Sequence, residues 1–182
     1  MPTFVEVYRE HSRFVWNSLR RLGLSEHEAE DAMQEIFVIV NGKLATFEGR
    51  SKLSTWIYGI TFRVVSDRRR RSIVRHEKLA NDEAIFEREG LTNIFEEVSV
   101  RQGHTILERI LDKMTLEQRA TFVLFELEGY ESSEIAESMG CPLGTVHSRL
   151  HSAREVFTRE SDRWRRNHLE PRVLAPLKQR QA

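Results

Sequence analysis

The sequence predicts an all-α fold of two small helical domains joined by a linker. Apolar residues recur at spacings of three and four in each long periodic segment, the period of an amphipathic helix. Alternating apolar and polar runs, the mark of a strand, are poor, and no internal repeat is present. Two segments open on Ser or Thr followed three residues later by Glu or Gln, a capping box. The 182 residues suffice for two small domains and are too few for a large enzyme core. Basic and acidic residues number 28 each. That balance argues against a histone-like binder, although it conceals local blocks of charge. Cys141 is the only cysteine, which excludes an internal disulfide. It is expected as a small buried or capping residue in a turn. No run approaches the ~20 apolar residues of a membrane span, and the N-terminus lacks a basic-then-apolar signal pattern. A cytoplasmic location without membrane insertion is therefore expected.

The first helix is expected from Thr3 to Leu22, with Phe4, Val7, Tyr8, Phe14, Val15, Leu19 and Leu22 on its core side and Gly23 at its end. Ser25 and Glu28 form the capping box of a second helix. Ala29, Ala32, Met33, Ile36, Phe37, Val40 and Leu44 make its buried stripe. Asp31, Gln34, Glu35, Val38 and Asn41 lie away from it, an acidic and polar face of the kind that is ordinarily just solvated. Phe47 to Lys52, FEGRSK, is a loop. Its Phe47, Arg50, Ser51 and Lys52 are the residue types that wall a flipped base and read its edge. Ser54 is expected to cap the third helix, where Trp56, Ile57, Ile60, Val64 and Asp67 keep helical spacing. Six arginines fall between Arg63 and Arg75. Such a run exceeds what a helix dipole needs; with aromatics at one end it suits a nucleic-acid strand. Ser72 to Gln102 turns acidic and loses periodicity, as a linker does. Ile106, Leu107, Ile110, Leu111 and Met114 then mark a helix, and Thr115 with Gln118 caps the next, which runs to Leu127.

The stretch from Leu116 to Phe157 reads as helix, short helix, tight turn, helix. Ser132 and Ser133 are the expected caps of the middle helix, with Ile135, Ala136 and Met139 as its apolar face and Gly140 as its stop. Pro142 lies where a first helical turn accepts a residue without an N–H. Leu143, Val146, Leu150, Ala153 and Phe157 form a stripe expected to be buried. His147, Ser148, His151, Ser152 and Glu155 face the other way, flanked by Arg149 and Arg154. Small donors near the start of a second helix, with cations beside them, suit a helix-turn-helix reading base edges and phosphates. The competing reading is a hairpin of helices that packs and reads nothing. His147 and His151 stand four apart, but no carboxylate or cysteine completes a metal site at suitable spacing. No phosphate loop or nucleophile motif occurs, so no catalytic residue, metal or cofactor is expected. The last helix should continue to about Arg166, followed by a frayed basic tail that adds phosphate contacts or docks on a regulator.

With these motifs in place, EIAESMGCPLGTVHSRLHSAR closely resembles the region 4 signature of extracytoplasmic-function (group 4) sigma factors of the sigma-70 family. His147 and Ser152 stand where arginine is usual. DAMQEIFVIV resembles region 2.2, and the segment from Ser54 to Arg71 resembles region 2.3, with Ser54, Thr55, Trp56, Tyr58, Ile60, Asp67, Arg70 and Arg71 matching. Gly59 and Arg63 stand there in place of the usual arginine and asparagine. The resemblance covers about Phe4 to Arg71 and His104 to Phe157. It implies a region 2-like helical bundle at 1–75, a linker at 76–103, a region 4-like helix-turn-helix domain at 104–160 and a basic tail at 161–182. The implied function is that of an alternative sigma factor, which brings core RNA polymerase to −35 and −10 promoter elements and helps open the duplex. By position, Asp31, Gln34 and Glu35 would dock on the β′ clamp helices, and the β flap would be a second polymerase contact. Phe47, Arg50, Ser51, Lys52, Trp56, Arg63, Arg70 and Arg71 would serve −10 capture and melting. His147, Ser148, Arg149, His151, Ser152 and Arg154 would serve −35 binding. An anti-sigma factor covering both domains is a further implied partner. The alternative is an autonomous helix-turn-helix regulator, which would bind duplex as a dimer and gives no reason for the Asp31–Glu35 and Trp56–Arg71 blocks.

Overall fold

The computed structural model describes residues 2–49, 51–79 and 106–168. Every regular element among them is helical. Helix α1 spans Phe4–Arg21 and opens on Thr3, whose hydroxyl accepts the Glu6 N–H while the Glu6 carboxylate accepts the Thr3 N–H. Such reciprocal capping satisfies two of the orphan donors at a helix start. Helix α2, Glu26–Lys43, repeats the arrangement with Ser25 and Glu28. A 3₁₀ turn, Leu44–Thr46, follows. Helix α3, Leu53–Leu79, closes a three-helix bundle with α1 and α2. The stripe expected on α2 is buried, Met33 only partly so.

In the second half, residues 106–111 form α4 and Leu116–Phe122 form α5, capped by Thr115 and Gln118. A π-helical turn, Val123–Leu127, leads to α6, Ser132–Met139. Gly140 ends α6 at φ 62°, a left-handed conformation that glycine adopts without a Cβ clash. Helix α7 runs Leu143–His168, its first turn anchored on the Pro142 carbonyl, which accepts the N–H groups of Thr145 and Val146.

Four expectations are corrected. Ser54 lies inside the first turn of α3 rather than at its cap, and its Oγ receives the Tyr130 hydroxyl at 2.6 Å. The capping position of α6 is Glu131, whose N–H donates to the Glu134 carboxylate at 3.0 Å; Ser132 and Ser133 are already helical. Tyr8 is 43% exposed, its ring set edge-on to Phe37 at the margin of the bundle. Leu143 is 46% exposed, because the packing partners of the α7 stripe engage it only from Val146 onward.

The two halves share one core. Leu116, Ala120, Leu124, Tyr130, Ile135, Val146 and Leu150 join the buried residues of α1, α2 and α3 in a single cluster. A smaller cluster around Leu111, Phe122, Val123 and Ala153, with Phe157 against it, belongs to the second half alone. Several polar groups along the seam are matched, as buried donors and acceptors require, although the Thr55 hydroxyl is buried there without a hydrogen-bond partner. Buried Tyr58 donates to the Ala120 carbonyl at 3.2 Å, and Ser138 Oγ donates to the Thr55 carbonyl at 3.0 Å. Arg21 pairs with Glu128. Arg119, only 3% exposed, donates through Nε to the Arg21 carbonyl and pairs with Asp112. A guanidinium from α5 thus satisfies a carbonyl at the C-terminus of α1.

Candidate nucleic-acid interface

Helix α7 presents His147, Ser148 and His151 to solvent, one turn after another, because Val146, Leu150 and Ala153 hold the opposite face in the core. The Ser148 hydroxyl donates to the Thr145 carbonyl at 3.0 Å, which leaves its lone pairs outward as acceptors. His151 Nε2 lies 3.6 Å from Glu155 Oε1. Of the expected readers, Ser152 is half-buried and so less available. Arg149 is half-buried too, its Nη1 3.5 Å from Cys141 Sγ. Arg154 is exposed but oriented, with Nε donating to Glu126 Oε1 at 2.7 Å and its guanidinium 5.2 Å from the Phe125 ring centre. That pair fixes a cation on the flank of the helix, where a phosphate contact sets register without reading sequence. Leu143, one turn before His147, adds an apolar surface of the sort that meets a thymine methyl. Helical periodicity had assigned it to the core, since periodicity cannot tell where a stripe runs past its partner.

At the start of α3, Phe47 and Trp56 lie 5.3 Å apart between ring centres, tilted by 48°, and both are half-buried. They form one partly open aromatic wall. Ser51 beside them is half-buried, and Lys52 is exposed. Lys52 Nζ is 3.1 Å from Glu134 Oε1 and 5.6 Å from the Tyr130 ring centre, so it is engaged by the second half of the chain. The Glu131 N–H, and then Lys52, hold the Glu134 carboxyl below its ordinary value of 4.5. Arg50 lies outside the described residues.

The arginine run of α3 is divided by its helix. Arg63, Arg70 and Arg71 are exposed. Arg68 turns back to Glu35, with Nε and Nη2 at 3.0 and 2.8 Å from the same carboxylate oxygen. Arg69 donates to the Leu22 carbonyl at 2.7 Å. Arg68 and Arg69 therefore tie the bundle together, while Arg63, Arg70 and Arg71 present charge outward. On α2, Asp31 and Gln34 are exposed, whereas Glu35 is half-buried in its pair with Arg68. Val38, 73% exposed one turn beyond Gln34, extends that face with an apolar contact.

The chain matches the family models for sigma-70 region 2 over residues 7–72 and sigma-70 region 4 over residues 104–156. It is 34% identical over 163 residues to the ECF RNA polymerase sigma factor SigE of Mycolicibacterium smegmatis, a match covering 85% of this chain and 60% of that protein. It is 31% identical over 140 residues to the ECF RNA polymerase sigma-E factor of Escherichia coli K12, covering 71% of this chain and 72% of that protein. Among solved structures, the sigma factor RpoE of Bartonella quintana, in complex with the anti-sigma factor NepR, superposes with a TM-score of 0.64 at 19% identity. That alignment covers 85% of this chain and 96% of the other, and the likeness is one of fold. Among the described residues, no helix is long and apolar enough to cross a membrane.

Proposed function

The chain belongs to the extracytoplasmic-function sigma factors of the sigma-70 family, and from that premise we propose that it is an alternative sigma factor that directs core RNA polymerase to promoters. One observation carries the reading. A helix with outward donors suited to duplex DNA and a separate aromatic and basic face suited to a single strand occur on one chain. A duplex-binding regulator has no use for the second.

In this reading His147, Ser148 and His151 contact base edges of the −35 element, and Arg154 positions α7 on the backbone. Ser152 and Arg149 act from the margin of that surface. Phe47, Ser51, Lys52 and Trp56 receive unstacked bases of the −10 element, with Arg50 in the same loop, and Arg63, Arg70 and Arg71 follow the strand's phosphates. Melting then exchanges base stacking in the duplex for stacking and ion pairing on the protein. Asp31 and Gln34 meet basic groups of the β′ clamp helices, with Val38 as an apolar contact, because complementary charge steers encounter and sets register. The β flap is the polymerase contact of the second half. Glu35 supports this face indirectly by holding Arg68 to α2. Catalysis belongs to the polymerase, the protein works in the cytoplasm, and an anti-sigma factor is a fitting regulator.

The test is run-off transcription with purified core polymerase on a promoter library. Promoter-specific transcripts should require the protein and should vanish with Asp31→Arg plus Gln34→Ala, both exposed positions whose replacement spares the core. Absence of polymerase binding, together with tight dimeric binding to a palindromic duplex, would overturn the reading in favour of an autonomous regulator.

A further inference from the structure

We infer that α7 carries a seat for one backbone phosphate of the duplex beyond the −35 bases, built by Arg154 and Arg159 with the Thr158 hydroxyl between them. The inference rests on the reading of α7 as the −35 helix made above. It adds a contact outside the matched sigma-70 region 4, which ends at residue 156.

His151, Arg154, Glu155, Thr158 and Arg159 line an open depression of about 420 Å³ on α7, and all five are exposed. Steps of three and four residues keep them on one side of the helix. The same side carries His147 one turn before His151. Its two arginines are held alike. Arg154 Nε donates to Glu126 Oε1 at 2.7 Å, and Arg159 Nε donates to Glu160 Oε1 at 3.1 Å. A guanidinium anchored through Nε keeps its Nη groups for a second partner, and a phosphate accepts from a planar fork of this kind. Phe125, with its ring centre 5.2 Å from the Arg154 guanidinium, comes from the same π-helical turn as Glu126. One irregular turn thus supplies both supports of Arg154. Such support orders the arginine before DNA arrives and removes part of the ordering cost of binding.

The carboxylates nearby are taken up. Glu126 and Glu160 are the anchors, and Glu160, its side chain 16% exposed, also lies 3.9 Å from Arg163. Glu155 alone among them lines the depression, and its Oε1 lies 3.6 Å from His151 Nε2. Two guanidinium groups against one carboxylate favour an anion there. Helix geometry places that anion on the DNA backbone. Twelve residues separate His147 from Arg159 (147 to 159), about 18 Å of helix. The major groove is about 12 Å wide. With His147, Ser148 and His151 at base edges, Arg159 lies past the groove and over a phosphate rail. Helical side chains lean toward the N-terminus, which carries Arg159 back toward Arg154.

The experiment uses reconstituted holoenzyme and duplexes carrying the −35 element of a promoter it transcribes, with affinity measured against salt concentration. Arg159→Ala should weaken binding about fivefold, the upper end for an exposed charge pair. It should also lower the slope of log K against log salt by about 0.9. The loss should be equal for every −35 sequence, because a phosphate contact carries no base preference. Arg163→Ala, which removes the same charge one turn on, should leave the slope unchanged. A single methylphosphonate in place of the contacted phosphate should weaken the wild type and cost the double variant Arg154→Ala, Arg159→Ala nothing. Glu126→Ala tests the support by sign. By net charge alone, loss of a carboxylate tightens DNA binding; loss of a support for Arg154 should instead weaken it about threefold, the cost of ordering one long side chain. Glu126→Gln keeps an acceptor for Nε and should restore wild-type affinity. An unchanged slope for Arg159→Ala, in a holoenzyme that initiates normally, overturns the seat and leaves the sigma reading standing. Tighter binding by Glu126→Ala overturns the role of Glu126 in placing Arg154. If the wild-type chain supports no transcription with core polymerase, the sigma reading fails and the seat fails with it.

Discussion

Individual side chains in this protein divide between packing and availability in ways that one-dimensional patterns foretell only in part. The arginine run shows this best. As residue types, Arg68 to Arg71 are four equal cations, yet Arg68 and Arg69 close the bundle on Glu35 and Leu22 while Arg70 and Arg71 face solvent. Helical geometry makes the division, since successive residues point about 100° apart. His147, Ser148 and His151 were legible as outward donors because they lie opposite a true core stripe. Leu143 was not, because its type matched the stripe and only the extent of its partner decided its exposure. His11 makes a prediction at this scale. Removal from water lowers its pKa below the ordinary 6.5, outweighing the charge of Glu10. A lowered value means that the unfolded chain binds the proton more tightly. The stabilisation from neutral His11 is therefore complete above pH 6.5 and is lost as pH falls below 6.5 toward the folded value. Thermal melts between pH 7.5 and 5.5 should show Tm falling on acidification (about a two-unit span around the ordinary histidine pKa), and His11→Gln should flatten that slope. An equal slope in the variant would assign the effect elsewhere.

At the scale of elements, local chemistry accounts for most boundaries. Thr3, Ser25 and Thr115 each close a reciprocal capping box with the residue three positions on. Two of these boxes were read in the sequence. At the starts of α3 and α6 the neighbouring cap candidates are chemically equivalent. Ser132 and Ser133 are ordinary cap residues, yet α6 is entered from Glu131 because the Glu134 carboxylate reaches the Glu131 N–H. Ser54 is an ordinary cap as well, but Tyr130 takes its hydroxyl from across the seam, a partner 76 residues away. The contrast can be measured. Ser25→Ala should destabilise the protein by about 1 kcal/mol, as loss of a cap does. Ser132→Ala should change stability by no more than about 0.5 kcal/mol, the range of surface replacements. Chemical denaturation of the two variants checks both values, and the reverse order would contradict the cap assignments.

For the whole molecule, the shared core has a thermodynamic consequence. Residues of α5, α6 and α7 lie in one apolar cluster with those of α1, α2 and α3. A chain built so should unfold in a single cooperative step rather than as two independent units. Trp16 and Trp56 report on the first half and Trp164 on α7. Fluorescence of variants keeping only one half's tryptophans should therefore give the same midpoint as far-UV circular dichroism. Leu150→Ala, a truncation in the shared cluster, should destabilise by roughly 2–5 kcal/mol and shift both signals together. Two separated transitions, only one of them moved by this variant, would refute a common core.

The sequence by itself determined the helices, most of their buried stripes, the caps at Ser25 and Thr115 and the family, because spacing, capping and motif order are properties of nearby residues. It also marked Gly59 as unusual in its segment without a physical account of why. The tertiary structure alone decided which arginines of the α3 run face outward, that Glu35 and Arg68 serve each other, and that α6 rests on α3 at Gly59. Those outcomes depend on contacts between segments dozens of residues apart, such as Ser138 with Thr55 and Glu134 with Lys52. Helical periodicity assigns each helix a buried face, but only the packed structure determines which segment covers it.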